Sequence, residues 1–305
     1  MFRINRKPTT CAAVGFIYEF ARKSKRGETY KRQYRCMAKH LSNFEKERNA
    51  EILSNMYNDT MCEDYLYYLR SRNLAQNTIV GYLQKTAFMF RKMAKRGFEV
   101  DFSFEEVLPD RDETVAVYLS DKELNDILAL KLKKEVDVIR DLFLVGCYTG
   151  MRYSDYSQLT SRNIVNGNIV RKTQKTGEIV QIPIHATVRR ILAKRNGEFP
   201  LYSNSTQNFN IRVKTICKRA KINDSVLVEF HKGNKVIRKT KKKYELVSSH
   251  TARRSFATNT YLAGIKVAQI MLITGHQTEK SFFKYIRITK SENAKMLSEH
   301  PFFSH

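Results

Sequence analysis

The chain has 305 residues, with 55 lysines and arginines against 30 aspartates and glutamates, a formal charge of +25 and 42% hydrophobic residues. Sixteen tyrosines and 18 phenylalanines can fill sizeable cores, which excludes a disordered basic tail and fits one large or two medium domains. Such an excess of positive charge repels itself in a compact monomer and calls for a polyanionic partner, nucleic acid first.

The rival partner, an anionic membrane, finds no support, because the chain has no run of about 18 apolar residues and no hydrophobic N-terminal segment. A cytoplasmic protein is expected. The five cysteines, Cys11, Cys36, Cys62, Cys147 and Cys217, are odd in number, widely spread and free of any CxxC pair. That pattern offers neither a zinc site nor a disulfide framework, and the thiols read as reduced, mostly buried small hydrophobes.

In chain order, residues from about Tyr30 to Gly97 are helical in period and almost free of glycine and proline. The clearest element is "NTIVGYLQKTAFMFRKMAKRG", with Asn77 as a candidate cap, Ile79, Tyr82, Leu83, Phe90 and Met93 on one face, and Gly97 as the stop. Lys85, Lys92, Lys95 and Arg96 lie along or beside the remaining surface, either as a solvated face or as phosphate contacts. Residues 108–119 then read as an extended linker, with a proline and an acidic run. Ser120 and Glu123 form a capping box that opens a second, mostly helical domain.

Within that domain, Asn166–Gly167 is a type I′ hairpin signal between β-branched residues, and a further strand follows Lys175-Thr176-Gly177. A small sheet of about three strands is expected. A second strand pair turns at Gly233–Asn234. Between His231 and Lys243 this pair carries six lysines, one arginine and no acid, which suggests a phosphate-contacting edge through residues such as Lys239, Lys241 and Lys242. The fold class is therefore mainly α with a small antiparallel β-sheet, in two domains.

Candidate chemistry falls at three places. In "CYTGMRYSDYSQL" a helix ends at a Thr-Gly turn, and Arg152 follows at a rigid corner, ahead of a helix that Ser154 or Asp155 could cap, with Asp155 placed to brace the guanidinium. In "SSHTARRSF" His250 and Arg253 are three apart, on one helical face near an N-terminus that attracts anions. Arg254 points about 100° away around that helix and reads as structural. In "ITGHQTEKSFFKYI" His276 follows a glycine stop, and Tyr285 lies nine residues further on.

In series, "TGMR", a lysine in a hairpin, "HTARR", "TGH" and a tyrosine nine residues on closely resemble the tyrosine recombinase (phage integrase) family. That family's pattern is Arg, Lys, His-x-x-Arg, His or Trp, and Tyr. The resemblance covers the chain from about Ser120 to the C-terminus. The helical segment before the linker matches the family's core-binding domain by architecture alone. The "SSHTARRSFATN" wording and the lysine-rich strand pair look most like the branch found on bacterial mobile elements. Two departures, Met151 for the commoner leucine and "ITGH" where "LLGH" is frequent, are expected to touch no reacting group.

The resemblance implies a DNA-binding core-binding domain over residues 1–107, a linker over 108–119 and a catalytic domain over 120–305. It implies a nucleophile, Tyr285, that forms a 3′-phosphotyrosyl link to DNA and frees a 5′-hydroxyl, with neither ATP, metal nor other cofactor. Arg152 and Arg253 would clamp the non-bridging oxygens, Lys175 would protonate the leaving oxygen, His250 would serve the tyrosine as acid or base, and His276 would bond the phosphate. Lys172 competes with Lys175 for the hairpin role, and Lys175 is preferred because it directly precedes Thr-Gly.

The implied partner is a double-stranded DNA recombination site, held by a homo-tetramer on paired sites and a monomer when free, in the bacterial nucleoid. The helix "SENAKMLSEH", with an imperfect capping box at Ser291, would dock either on a neighbouring subunit or on its own domain. The stretch before the helical segment is shorter than the roughly 60 to 80 residues of an arm-binding domain, which points to an invertase or a Xer-like resolvase acting on core sites. A type IB topoisomerase-like nicking-closing enzyme and an inactive DNA-binding protein are the alternatives.

Overall fold

The computed structural model describes residues 9–288, 290–298 and 301–303, with the backbone alone at 291, 295, 296 and 301. The chain divides into two compact units, one grouping Met1–Thr114 with Val228–Lys239, the other Val115–Leu227 with Thr240–His305. Among the described residues no helix is long and apolar enough to cross a membrane.

Four helices build the first unit: α1 Ala13–Lys23, α2 Glu28–Arg48, α3 Asp59–Ser71 and α4 Gln76–Ala94. The helical period from Tyr30 onward accounts for the last three, and α1 lies ahead of it, burying Phe16, Ile17 and Ala21 along one face. Between α2 and α3 the chain breaks at Asn49, in the left-handed region at φ 51°, and restarts at Asn58, whose side chain accepts the Met61 N–H. On α4, Ile79, Leu83, Phe90 and Met93 are buried, and Tyr57 stacks on Phe90 at 4.5 Å. The Asn77 cap is corrected. Ala75 holds the cap position with no side-chain bond, so Asn77 falls inside the first turn and its amide donates instead to the Asp112 carbonyl at 3.1 Å.

Residues 108–120 form no helix or strand, as an extended linker should, but their early part is fastened to α4: Gln76 donates to the Asp110 carbonyl at 3.0 Å and Arg111 to Gln84 at 2.7 Å. The first unit also takes in a piece of chain from far downstream. Strands β4 Ser225–Lys232 and β5 Lys235–Lys242 form the expected lysine-rich hairpin, turning at Gly233 and Asn234. At its tip the Gly233 N–H donates to the Leu74 carbonyl at 2.8 Å, and Lys232 pairs antiparallel with Ala75. The His231 N–H donates to Asp112 at 2.6 Å and its ring meets the same carboxylate at 2.8 Å. Gly233 is required there, because a β-carbon would sit 2.9 Å from the Arg70 carbonyl oxygen and φ is +58°.

The second unit contains α5 Asp121–Ala129, α6 Lys134–Thr149, α7 Tyr153–Tyr156, β1 Ile164–Val165, β2 Asn168–Lys172, β3 Ile179–Pro183, α8 Ala186–Lys194 and α9 Thr206–Arg219, followed by α10 Lys243–Leu246, α11 Ser249–Leu262, α12 Val267–Thr274, α13 Glu279–Phe283 and α14 Lys290–Ser298. Ser120 and Glu123 form the full capping box that starts α5. The three strands pair antiparallel in the order β1-β2-β3, with Asn166 and Gly167 both at positive φ as a type I′ turn demands.

Helix α6 is the centre of the core. Its residues Leu142 to Val145 are buried all round, and it packs on α9 and α11. Gly146 lets α11 and α7 come close, since a β-carbon there would lie 2.6 Å from the Tyr156 ring and 3.1 Å from Ala252. Buried Asp141 anchors the helix by accepting from Arg140 at 2.9 Å and Arg195 at 2.6 Å. In the C-terminal helix α14, Glu292 accepts from the Tyr118 hydroxyl, a contact within the second unit. The side chains of Ser291 and Met296 lie outside the described residues.

Candidate active site

The Thr-Gly turn that ends α6 places two groups at once. Gly150 closes the helix in the left-handed region (φ 66°, ψ 5°), and a β-carbon there would lie 2.4 Å from the Phe256 ring of α11. That contact brings the Gly150 carbonyl within 2.8 Å of Arg253 Nη1, which donates to it. Two residues on, Arg152 is extended and begins α7, with Nη1 buried and without a partner among the described residues. Neither Ser154 nor Asp155 caps α7, which is a single turn starting at Tyr153. Asp155 is instead fully buried, and its Oδ1 accepts the Gln174 N–H at 2.8 Å, which fixes the turn between β2 and β3.

That turn carries Lys175. It is closed by the Thr173 N–H to the Glu178 carbonyl at 2.8 Å, by the Gly177 N–H to the Thr173 carbonyl at 2.9 Å, and by the paired hydroxyls of Thr173 and Thr176 at 2.7 Å. Lys172 and Lys175 are both exposed. The charge of Lys175 acts on the rings of His250 and His276, and Lys172 is not among the charges that shift either.

Helix α11 supplies His250, Arg253 and Arg254. Its start is fixed by Ser248, whose N–H donates to the Thr251 hydroxyl at 3.0 Å, and by the Ser249 N–H to Asn210 at 2.8 Å. His250 stays exposed, yet partial desolvation and then the charges of Arg254, Arg253, Arg152 and Lys175 hold its pKa below the ordinary imidazole value. Arg254 was expected to be structural, and its charge is the first of these four. Arg253 is 1% exposed. Burial and the neighbouring Arg152 pull its pKa down to about 10, so it stays protonated at neutral pH. Its Nη2 donates to the Thr274 carbonyl at 2.6 Å and lies 3.0 Å from His276 Nε2, and its Nε has no partner among the described residues.

His276 follows Gly275, which ends α12 in the left-handed region at φ 64°. Its Nδ1 lies 2.8 Å from the Thr274 hydroxyl. The expectation that "ITGH" touches no reacting group is thus corrected: in that motif Thr274 contacts the histidine directly. Burial, then the charges of Arg253, Arg152 and Lys175, push the His276 pKa down to about 3. The unfolded chain takes up a proton near 6.5 that the folded ring refuses, so stability is lost as pH falls from 6.5 towards 3, and the group contributes no pH dependence above that range. The urea midpoint of the wild type should fall across this window, and His276→Gln should fall less steeply; equal slopes would contradict the assignment.

Tyr285 sits in the turn after α13, a helix capped by Thr278. Its N–H donates to the Phe282 carbonyl at 2.7 Å. Its ring centre is 4.8 Å from that of His276, and the Arg253 guanidinium lies over it at 5.2 Å. Six residues spread over 134 positions of sequence, Arg152, Lys175, His250, Arg253, His276 and Tyr285, are thus drawn together by direct contact or by their charges on the two histidines. Asp155 and Thr274 complete the set. Sequence reading gave neither its present role, although each stands within three residues of a candidate.

The model of the phage integrase family matches residues 118–292, and that of the phage integrase SAM-like domain matches residues 14–107. The chain belongs to the phage integrase family. It is a tyrosine site-specific recombinase with the family's two-part, mostly helical build. Among solved structures, this integrase is similar to the Tn1549 transposon integrase in complex with circular intermediate DNA, at 16% identity over 95% of this chain and 99% of that one, with a TM-score of 0.63. It is similar to a lambda integrase dimer bound to a COC′ core site at 13% identity, 90% and 94% coverage and a TM-score of 0.68. It is similar also to the XerH recombinase in a post-cleavage complex with palindromic difH, at 16% identity, 94% and 84% coverage and a TM-score of 0.64. No curated protein matches in sequence.

Proposed function

We propose that this recombinase breaks and rejoins duplex DNA through Tyr285. The tyrosine oxygen bonds to the scissile phosphorus, the bond from phosphorus to the 5′-oxygen breaks, and a 3′-phosphotyrosyl link and a free 5′-hydroxyl result. A 5′-hydroxyl of another strand reverses the step. His250 accepts the tyrosine proton, and Lys175 donates one to the departing 5′-oxygen. Arg152 and Arg253 bond the non-bridging oxygens and offset the charge of the transition state, and His276 bonds a phosphate oxygen. These cations supply the charge compensation that metal ions supply elsewhere, and the covalent link conserves the bond energy without ATP.

The observation that carries this reading is the approach of Arg253 and His276 to opposite needs of one side chain: a cation 5.2 Å over the Tyr285 ring and a neutral imidazole ring 4.8 Å from it. On the same reading residues 1–107 are the core-binding domain, 108–119 the linker and 120–305 the catalytic domain. Lys92, Lys95, Lys239, Lys241 and Lys242 contact phosphates. Lys85 is less available, since its Nζ donates to the Gly81 carbonyl at 3.2 Å. The protein acts in a bacterial cytoplasm at the nucleoid, on mobile-element DNA, as a tetramer across paired sites. That the Tn1549, lambda and XerH relatives were all solved on DNA supports the partner.

The test is a nicked suicide duplex incubated in EDTA. A covalent protein–DNA adduct should form at an undiminished rate, and the nucleotide should map to the peptide carrying Tyr285. Strict dependence on magnesium would point to a nuclease, and relaxation of supercoiled DNA lacking any specific site would favour the topoisomerase-like alternative.

A further inference from the structure

Where the family's wording is often "LLGH", this chain has Thr274 in place of the second leucine, and its hydroxyl is bonded into the site. The proton positions can be assigned from one end. A guanidinium carries donors only, so His276 Nε2, 3.0 Å from Arg253 Nη2, must be an acceptor and carries no proton. A neutral imidazole then holds its proton on Nδ1, which donates to Thr274 Oγ1 at 2.8 Å. The threonine's own proton goes back to the Ile270 carbonyl at 2.8 Å, one turn earlier in α12. Arg253, His276, Thr274 and Ile270 thus form one run of hydrogen bonds with a single direction. Thr274 is 1% exposed, so no solvent replaces its hydroxyl.

This arrangement is the wrong one for a histidine that must donate to phosphate from Nε2. We propose that Thr274 is a positioning residue that lets His276 exchange tautomers: its hydroxyl accepts from Nδ1 while Nε2 faces Arg253, and rotates to donate to Nδ1 once Nε2 carries the proton and faces a phosphate oxygen. The inference rests on the reading of His276 as a phosphate ligand. The ring's proton count does not change: the partly exposed His276 ring turns away from Thr274, gives up the Nδ1 proton to water and takes one from water at Nε2 before the threonine bond re-forms. A hydroxyl can serve both states because it is donor and acceptor, whereas leucine could serve neither and would leave Nδ1 unpaired. The low pKa of His276 agrees with a ring that works as a neutral donor or acceptor rather than as a cation.

The test compares Thr274→Val, which keeps the shape and loses the hydroxyl, with Thr274→Ser, which keeps the hydroxyl, both in the full chain. Nitrogen-15 spectra of histidine-labelled protein, with His276→Gln to assign the signal, report which ring nitrogen is protonated. In the DNA-free wild type this should be Nδ1. Thr274→Val should change that tautomer balance and slow adduct formation on a nicked duplex by roughly tenfold or more, as leaving a buried polar group without its hydrogen bond does, with DNA affinity unchanged. Thr274→Ser should restore both signals. Wild-type tautomer and rate in Thr274→Val would overturn the proposal, and so would a defect that serine does not repair, which would mark the role as packing. If the wild type forms no adduct at all, the recombinase reading of the site fails, while the spectra still decide the Thr274–His276 contact.

Discussion

Tyr285→Phe is expected to form no covalent adduct with a nicked substrate, a fall of at least about 10⁴-fold, the scale on which losing a nucleophile acts. DNA affinity should stay at the wild-type level, and stability should fall by no more than the one hydrogen bond that the hydroxyl makes with Arg253, about 1 kcal/mol. Only the hydroxyl is removed: the ring keeps its place 4.8 Å from His276 and under Arg253 at 5.2 Å, and the backbone bond to Phe282 is untouched. The chain has 16 tyrosines, so the prediction is specific. An adduct that persists in the variant and maps to another tyrosine would remove Tyr285 from the mechanism and leave the surrounding cations as a DNA-binding patch.

Gly150→Ala should unfold the second unit more easily by about 2–5 kcal/mol, adding about 1–2 for a left-handed non-glycine residue to about 1–3 for an overpacked core. The new methyl would stand 2.4 Å from Phe256, and φ is +66°. Moving Phe256 also moves α11 and the carbonyl that holds Arg253, so adduct formation should fall in the surviving folded protein. Gly167→Ala is the matched control, because it has φ +74° but open space around the added carbon. Urea unfolding of both variants separates backbone strain from collision, and equal losses would mean that Phe256 gives way at little cost.

Signals confined to a few neighbouring residues were legible. The Ser120–Glu123 box, the Asn166–Gly167 turn and the stops at Gly150 and Gly275 each act through bonds within one or two turns of chain, and each stands where the sequence placed it. The catalytic candidates were legible for a different reason, as five spaced motifs in fixed order. What was missed depends on distant partners. Asp155 looks like a cap or a brace for Arg152 until Gln174, 19 residues on, donates to it. Asn77 looks like a cap until Asp112 claims its amide. Thr274 looks like a passive replacement for leucine until the turn at Gly275 folds His276 back onto it. Arg254 is about 100° from Arg253 around the helix, but charge is not confined to a face, and His250 feels it.

The hairpin tip has a consequence for the order of synthesis. Ala75, Leu74 and Asp112 are made well before Lys232, Gly233 and His231, which bond to them. Residues 1–114 therefore leave the ribosome with one strand partner and one carboxylate still waiting, and the first unit closes only after a further hundred or so residues have been translated. A truncated fragment ending at the linker lacks that closing piece. Its helices can pack on their own core, but the turn between α3 and α4 stays open to solvent until the lysine-rich loop arrives.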